Sequence, residues 1–312
     1  MTGYDHTPVL PEETIGSLAI VPDGIYVDGT AGGGGHSKLI AERLSDRGRL
    51  IAVDQDEEAV RAASDRLRNY GDRVTIIRDN YRNIKLILND LGIREVNGII
   101  LDIGVSSHQL DDAGRGFSYM KDGPLDMRMD RSSSVTAADI INNYEESELY
   151  SIIRRYGEER YAGPIAKGIV KARKAGRIET TLGLSEVISS SVPAKAKRTG
   201  GNPAMRTFQA LRIEVNHELD ALSESLDIMI DLLAPKGRLS VITFHSLEDR
   251  IVKECFRRNE NPCTCPPDFP VCVCGKKSRG ICVNRKAVTA GDKELESNPR
   301  AHSAKLRIFE KI

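Results

Sequence analysis

The 312-residue sequence lacks several things, and each absence removes a class of protein. No stretch approaches the roughly eighteen consecutive apolar residues of a membrane-spanning helix, so no such span is expected. The start, MTGYDHTPVLPEET, has no basic flank leading into an apolar run and does not read as a secretory signal. A cytoplasmic protein with reduced thiols is therefore expected. Neither sign of charge is in excess, with 45 Lys and Arg against 45 Asp and Glu. With 40% hydrophobic and 29% charged residues, the composition is neither that of a disordered chain nor that of a fibrous one. The length suits one large or two ordinary domains.

Zero net charge conceals an asymmetry. Between Gly163 and Ile213 stand Lys167, Lys171, Arg173, Lys174, Arg177, Lys195, Lys197, Arg198, Arg206 and Arg212, against only Glu179 and Glu186. Ten cations less two acids leave a surplus of eight in this one segment. Such a run is often just a solvated helical face. A surplus this dense points instead to a polyanionic partner, with nucleic acid the expected one.

The first hundred residues alternate between two periods. GIYVDGT (24–30), GRLIAVDQD (48–56), RVTIIRDN (73–80) and VNGIILDIG (96–104) are short apolar runs that end in polar residues, as buried strands do. Helical patterns lie between them, so the expected class is α/β, a doubly wound parallel sheet. After Gly104 the rhythm breaks into a long loop and then helices. FQALRIEVNHELDALSESLDIMIDLLAPKG reads as one long helix closed by Pro235 and Gly237. RLSVITFHS reads as a fifth strand and SAKLRIFEKI as a closing one. A helical insertion of about a hundred residues thus interrupts one sheet domain.

DGTAGGGGHS (28–37) follows the first strand and opens a helix, the place where parallel sheets hold nucleotides. Glycines let the backbone approach a ligand, and Asp54, 22 residues after Gly32, suits a ribose diol. These features fit a nicotinamide cofactor and S-adenosylmethionine almost equally. Two details favour the methyl donor. Asp28 at the strand end would repel a pyrophosphate and welcome an ammonium, and Ser37 stands where a dinucleotide fingerprint would put glycine. RDNY at the third strand end suits an adenine edge and face, and Asp102 ends the fourth strand where transfer would occur. The plain alternatives are that Asp28 and Asp54 cap helices, that Tyr81 is a core aromatic and that His36 fills space. In FSYMKDGPLDMRMD, Arg128 and the methionines suit either RNA contact or packing. His245 in TFHSLED could face a base, or the segment could be a helix start capped by Ser246.

All six cysteines fall between 255 and 282. CTCPPDFPVCVCG places Cys263, Cys265, Cys272 and Cys274 on a hairpin, candidates for a structural zinc. Reduced thiols in a loop could equally be small apolar fillers.

The segments HTPVLPEET, YVDGTAGGGGHS, LDIGVSSHQLDDAGRGFSYMKDGPLDMRMD, YGEERYA, NPAMRTFQALRIEVNHEL, RLSVITFHSLEDRIVK and NPRAHSAKLR closely resemble the RsmH (MraW) family. The resemblance runs almost from end to end and is thinnest at about 258–290. It implies a class I methyltransferase (Rossmann-like) fold made of residues 1–107 and 214–312, with a helical domain at 108–213 for RNA recognition. It implies transfer of methyl from S-adenosylmethionine to the exocyclic 4-amino group of one cytidine at the decoding centre, in the RNA (16S) of the small ribosomal subunit. By motif, Gly34, Gly35, His36 and Asp54 would bind the donor, with Tyr81 at the adenine and Asp102 and Gln109 on the methionine side. Asp28 sits in the same loop and joins the set. Many amino-methyltransferases carry an Asn or Asp followed by Pro-Pro-aromatic after the fourth strand. Here Asp102-Ile103-Gly104-Val105 stands instead, so Asp102 or a nearby carbonyl would act on the amine. The small subunit is the expected partner, no membrane is expected, and a homodimer is left open. Two other readings compete: a nicotinamide-dependent oxidoreductase, and a non-catalytic zinc-containing RNA-binding module.

Overall fold

The computed structural model describes residues 8–193, 202–266, 269, 271 and 273–312. Two compact units result, Met1–Gly104 with Leu219–Ile312, and Val105–Glu218. The divisions fall at 104/105 and 218/219, against 107/108 and 213/214 from sequence. Among the described residues, no helix is long and apolar enough to cross a membrane.

The discontinuous unit is built on one sheet. Its strands are β1 (Ile25–Asp28), β2 (Arg49–Asp54), β3 (Val74–Arg78), β4 (Val96–Asp102), β5 (Leu233–Thr243), β6 (Gly280–Cys282) and β7 (Lys305–Lys311). Their order is 3-2-1-4-5-7-6. The first five run parallel, and β7 is antiparallel to both β5 and β6. The strands are apolar throughout because both faces are covered. Ile51, Val53, Ile99 and Leu101 enter one core cluster, while Leu50 and Ile100, one residue out of step, enter another. The chain winds outward from β1 through β2 to β3, then returns to place β4 on the other side of β1. That reversal makes a crevice at the carboxyl ends of β1 and β4, where Asp28 and Asp102 stand.

The single long helix expected after Phe208 is two helices. Pro203–Asn216 ends at His217, which is left-handed (φ 50°), and Glu218–Leu232 begins anew. The expected stop signals then fall inside β5. Lys236 has φ 62°, and the pairing with β4 shifts register between Val96 and Gly98, so Pro235–Gly237 form an irregularity at the start of the strand rather than a helix end.

The inserted unit holds the helices Ser107–Asp111, Ala137–Asn143, Glu146–Tyr156, Ala162–Arg173, Thr181–Ser191 and Pro203–Asn216. Its own core includes Leu149, Ile153, Ile165, Ile169, Leu184 and Phe208. FSYMKDGPLDMRMD is packed into that core through Phe117, Leu125, Met127 and Met129. Arg128 grips Asp126 through Nε and Nη2 (2.7 and 2.8 Å) and the carbonyls of Arg131 and Ser133 through Nη1. Of the two readings of this loop, packing accounts for these side chains.

Candidate active site

The glycine loop is held open by its neighbours. Gly29 donates to the Ile100 carbonyl (2.9 Å), and a Cβ there would lie 2.6 Å from Leu101 Cδ2, so a larger residue would have to displace that buried side chain. Gly32 and Gly34 are left-handed (φ 51° and 77°), a conformation that glycine adopts without strain. A Cβ on Gly32 would meet nothing closer than the Thr30 carbonyl at 4.0 Å, so there is open space over that glycine. Gly34 and Gly35 start the helix Gly35–Ala41, whose N-cap, Gly34, offers no side chain to the unpaired N–H groups.

Two carboxylates brace this loop. Asp54 Oδ2 accepts from Gly32 N–H (2.8 Å), and Oδ1 from Asp56 N–H (2.9 Å). Asp28, 1% exposed, accepts from Thr30 N–H (3.2 Å) and from Ser37 Oγ–H (2.6 Å). It also takes the Ser37 backbone N–H, so it caps the third residue of the helix from the end of β1. The capping alternative raised from sequence thus holds for Asp28, with Ser37 as its partner. Burial pushes both carboxyls up to about 6.

His36 and Asp102 face each other. His36 is buried, and its Nε2 lies 2.9 Å from the Val9 carbonyl. A carbonyl only accepts, so Nε2 carries the proton and Nδ1 a lone pair. That lone pair lies 3.7 Å from Asp102 Oδ2. Burial pushes His36 down to about 4, so it is neutral near pH 7. Burial first, then the charges of Asp28 and Glu248, push Asp102 up to about 8. Its backbone N–H donates to Thr30 Oγ1 (2.6 Å), while its Oδ1 is buried and has no hydrogen-bond partner. Among the described residues, no Lys or Arg forms an ion pair with Asp28, Asp54 or Asp102. Such a cluster favours a cation and opposes a phosphate.

Tyr81 sits in the core cluster beneath the loop, 9% exposed, with its Cβ 3.2 Å from where a Cβ of Gly29 would be. The amide and acidic residues of RDNY lie beside it, tied to two side chains that the sequence did not point to, Gln55 and Asn83. Asn80 Nδ2 donates to Gln55 Oε1 (2.8 Å), and Asp79 Oδ1 accepts from Asn83 Nδ2 (2.8 Å). Gln109 lies in the inserted unit, buried, where it closes a capping box with Ser106. The cap of the helix Ser246–Glu260 is His245 and not Ser246. His245 Nδ1 accepts from Glu248 N–H, and buried Glu248 accepts from the N–H groups of Phe244 and His245. A histidine can take this place because its ring nitrogen is an acceptor at the reach of an Asn side chain.

Three of the ten basic residues of the insertion are committed to its own structure. Arg206 Nε donates to fully buried Glu159 (2.6 Å), Arg212 Nε to Glu218 (2.8 Å), and Arg173 Nη1 to the carbonyls of Ile141 and Tyr144 (2.9 and 2.6 Å). Lys167, Lys171 and Lys174 are exposed and form no ion pair among the described residues. Lys195, Lys197 and Arg198 lie outside the described residues. In the other unit, Cys263, Cys265 and Cys274 are brought together, and Cys272 lies outside the described residues.

A family model described as the MraW methylase family matches residues 3–312. A curated relative from Lachnospira eligens, named ribosomal RNA small subunit methyltransferase H, is 60% identical over 309 residues, 99% of this chain and 98% of its own. A protein of the same name from Symbiobacterium thermophilum is 54% identical over 309 residues, 99% of this chain and 97% of its own. Among solved structures, an rRNA methylase from Streptococcus thermophilus aligns at 13% identity with a TM-score of 0.43, covering 98% of each chain.

Proposed function

The chain belongs to the MraW methylase family, and from that premise we propose that it methylates the exocyclic 4-amino group of a cytidine in small-subunit ribosomal RNA at the decoding centre. Its fold is that of a class I methyltransferase and its methyl donor is S-adenosylmethionine. The observation that carries the site is Asp102, whose buried Oδ1 has no partner at the β1/β4 reversal. The donor set around it fits a sulfonium with an ammonium, since Asp28, Asp54 and Glu248 bring negative charge to one edge and a bound cation favours the ionised form of Asp102. A pyrophosphate would be repelled there, which counts against the nicotinamide reading.

S-adenosylmethionine supplies, when bound, a methyl group activated by its positive sulfur. The residues hold and orient. Gly32 leaves the space, Gly34 turns the loop with its own N–H donated to the Ala31 carbonyl, Gly35 offers its N–H at the helix start, and Asp54 fixes the loop while its carboxylate suits the ribose hydroxyls. Tyr81 supports the loop from below, where its ring edge can meet the adenine. His36, neutral and hydrogen-bonded to Val9, presents a fixed acceptor. The cytosine amine is a poor nucleophile because its lone pair is delocalised into the ring. Asp102 is the group to accept a hydrogen bond from that amine, which favours tetrahedral geometry. Its raised proton affinity then suits it to take the proton that leaves after transfer.

The RNA is held by phosphate contacts to the exposed lysines of the insertion, and the target base is extruded or already unpaired. Ribosomal subunits are built in the cytoplasm, and the enzyme is placed there with them. The test supplies small ribosomal subunits lacking the modification, with labelled donor, and maps the methyl by nuclease digestion and mass spectrometry. Label on the 4-amino group of cytidine is expected. If neither the subunits nor their naked RNA accept methyl on cytosine, the reading fails.

A further inference from the structure

We infer that Cys263, Cys265 and Cys274 form a thiolate site for a structural zinc ion that fastens the segment between the helix Ser246–Glu260 and β6. The three Sγ atoms all lie within 4.8 Å of one another, and those of Cys263 and Cys274 are 4.0 Å apart. Tetrahedral zinc with bonds of about 2.3 Å places its sulfurs about 3.8 Å from one another. The thiols are therefore within a few tenths of an ångström to one ångström of a zinc edge. They are also about twice as far apart as the roughly 2.05 Å of a disulfide.

The backbone around them suits this role. Val273 N–H points at Cys265 Sγ (3.3 Å), a bond that supports negative charge on sulfur. Gly275, directly after Cys274, is left-handed (φ 66°) and turns the chain away. Lys276 and Lys277 follow and lower the cost of thiolate charge. The other two described cysteines differ. Burial pushes the Cys255 thiol up to about 12 and the Cys282 thiol up to about 11, so both stay protonated.

The segment also needs a fastening. No described residue from Asn261 to Arg279 belongs to any hydrophobic core cluster, and none lies in a helix or strand. Phe269, Val271 and Val273 are instead exposed, by 52%, 70% and 71%. A loop of this length without a core is ordinarily functional or held by a cross-link or metal. Soft thiolates select zinc among the metals that need no redox change, and the fourth position is left to water or another donor.

The experiment measures metal in the full chain, purified without chelator or affinity metal, by plasma mass spectrometry. About one zinc per chain is expected for the native protein and for Cys255→Ser and Cys282→Ser. Cys263→Ser with Cys274→Ser, and separately Cys265→Ser, should fall below about a tenth of that. Cobalt exchanged into the native chain should show thiolate-to-metal charge-transfer absorption, lost in the same variants. Circular dichroism and donor binding, held near native, distinguish loss of the site from loss of the fold. Equal zinc in the native chain and the variants would overturn the assignment. So would a metal-free native chain that takes up no cobalt, or one whose Cys263 and Cys274 are joined as a disulfide under native purification.

Discussion

At the scale of single residues, Asp102 sets the pH response of the site. Its folded carboxyl titrates at about 8, against about 3.9 in an unfolded chain, so the folded state holds the proton more tightly. Its contribution to stability is present at low pH and is lost as pH rises through about 8. His36 acts with the opposite sign, because its folded value of about 4 lies below the unfolded value of about 6.5. Its term raises stability as pH climbs to about 6.5 and is flat above. Asp28 and Asp54, at about 6, have largely titrated by then. Between about pH 6.5 and 8, donor-free thermal stability should therefore fall with pH. Donor affinity should rise over the same window, since a cation prefers ionised Asp102. Melting curves and calorimetry across the window test both, and Asp102→Asn should flatten both slopes. Slopes unchanged in that variant would remove Asp102 from the site. Asp54 gives the second residue-scale expectation. Asp54→Ala frees the Gly32 N–H and removes a ribose acceptor, so donor binding should weaken by about 1–3 kcal/mol. Calorimetric affinity equal to that of the native chain would contradict the assignment.

At the scale of elements, legibility followed the range of the interactions. The strands were readable because burial on both faces makes them apolar runs, and the place of Asp28, Asp54 and Asp102 was readable because each is the polar residue that ends such a run. The break at His217 was not readable. Apolar periodicity continues across it, and only a left-handed backbone at a non-glycine residue divides the two helices. Three-residue β6 carries too short a pattern to stand out, and it exists because β7 offers it an edge. Which cations of the basic segment are tied up was not readable for a related reason: Arg206 finds Glu159 from 47 positions away, so its charge is spent within the unit. Arg206→Ala should thus act on the insertion and not on RNA. It leaves buried Glu159 without its cation, at a cost of about 3 kcal/mol, read as a lower midpoint in urea. A native midpoint coupled with weakened RNA binding would return Arg206 to the interface.

At the scale of the whole molecule, a neutral chain must still hold a polyanion, so its cations have to be unpaired where the RNA lies. Lys167, Lys171 and Lys174 recur at intervals of four and three on or next to the helix Ala162–Arg173, which puts them on one face. All three are exposed, and Lys171 and Lys174 lie at the negative end of that helix, which favours cations there. Each phosphate contact releases counterions, and for single-stranded RNA contributes about 0.7 to the slope of log affinity against log salt. Changing all three lysines to Glu should lower the magnitude of that slope by about 2 and weaken RNA binding at every sequence tested. Donor affinity should stay at its native value, and the thermal midpoint should fall only slightly, by about 0.3–1 kcal/mol for each charge reversed at the helix end, because these side chains are solvated and lie outside the core of their unit. Filter binding across a salt series reads the slope, and calorimetry with S-adenosylmethionine reads the control. A native slope in the triple variant would mean that the three lysines only solvate a helix face, and that the phosphates are held by other cations of the chain.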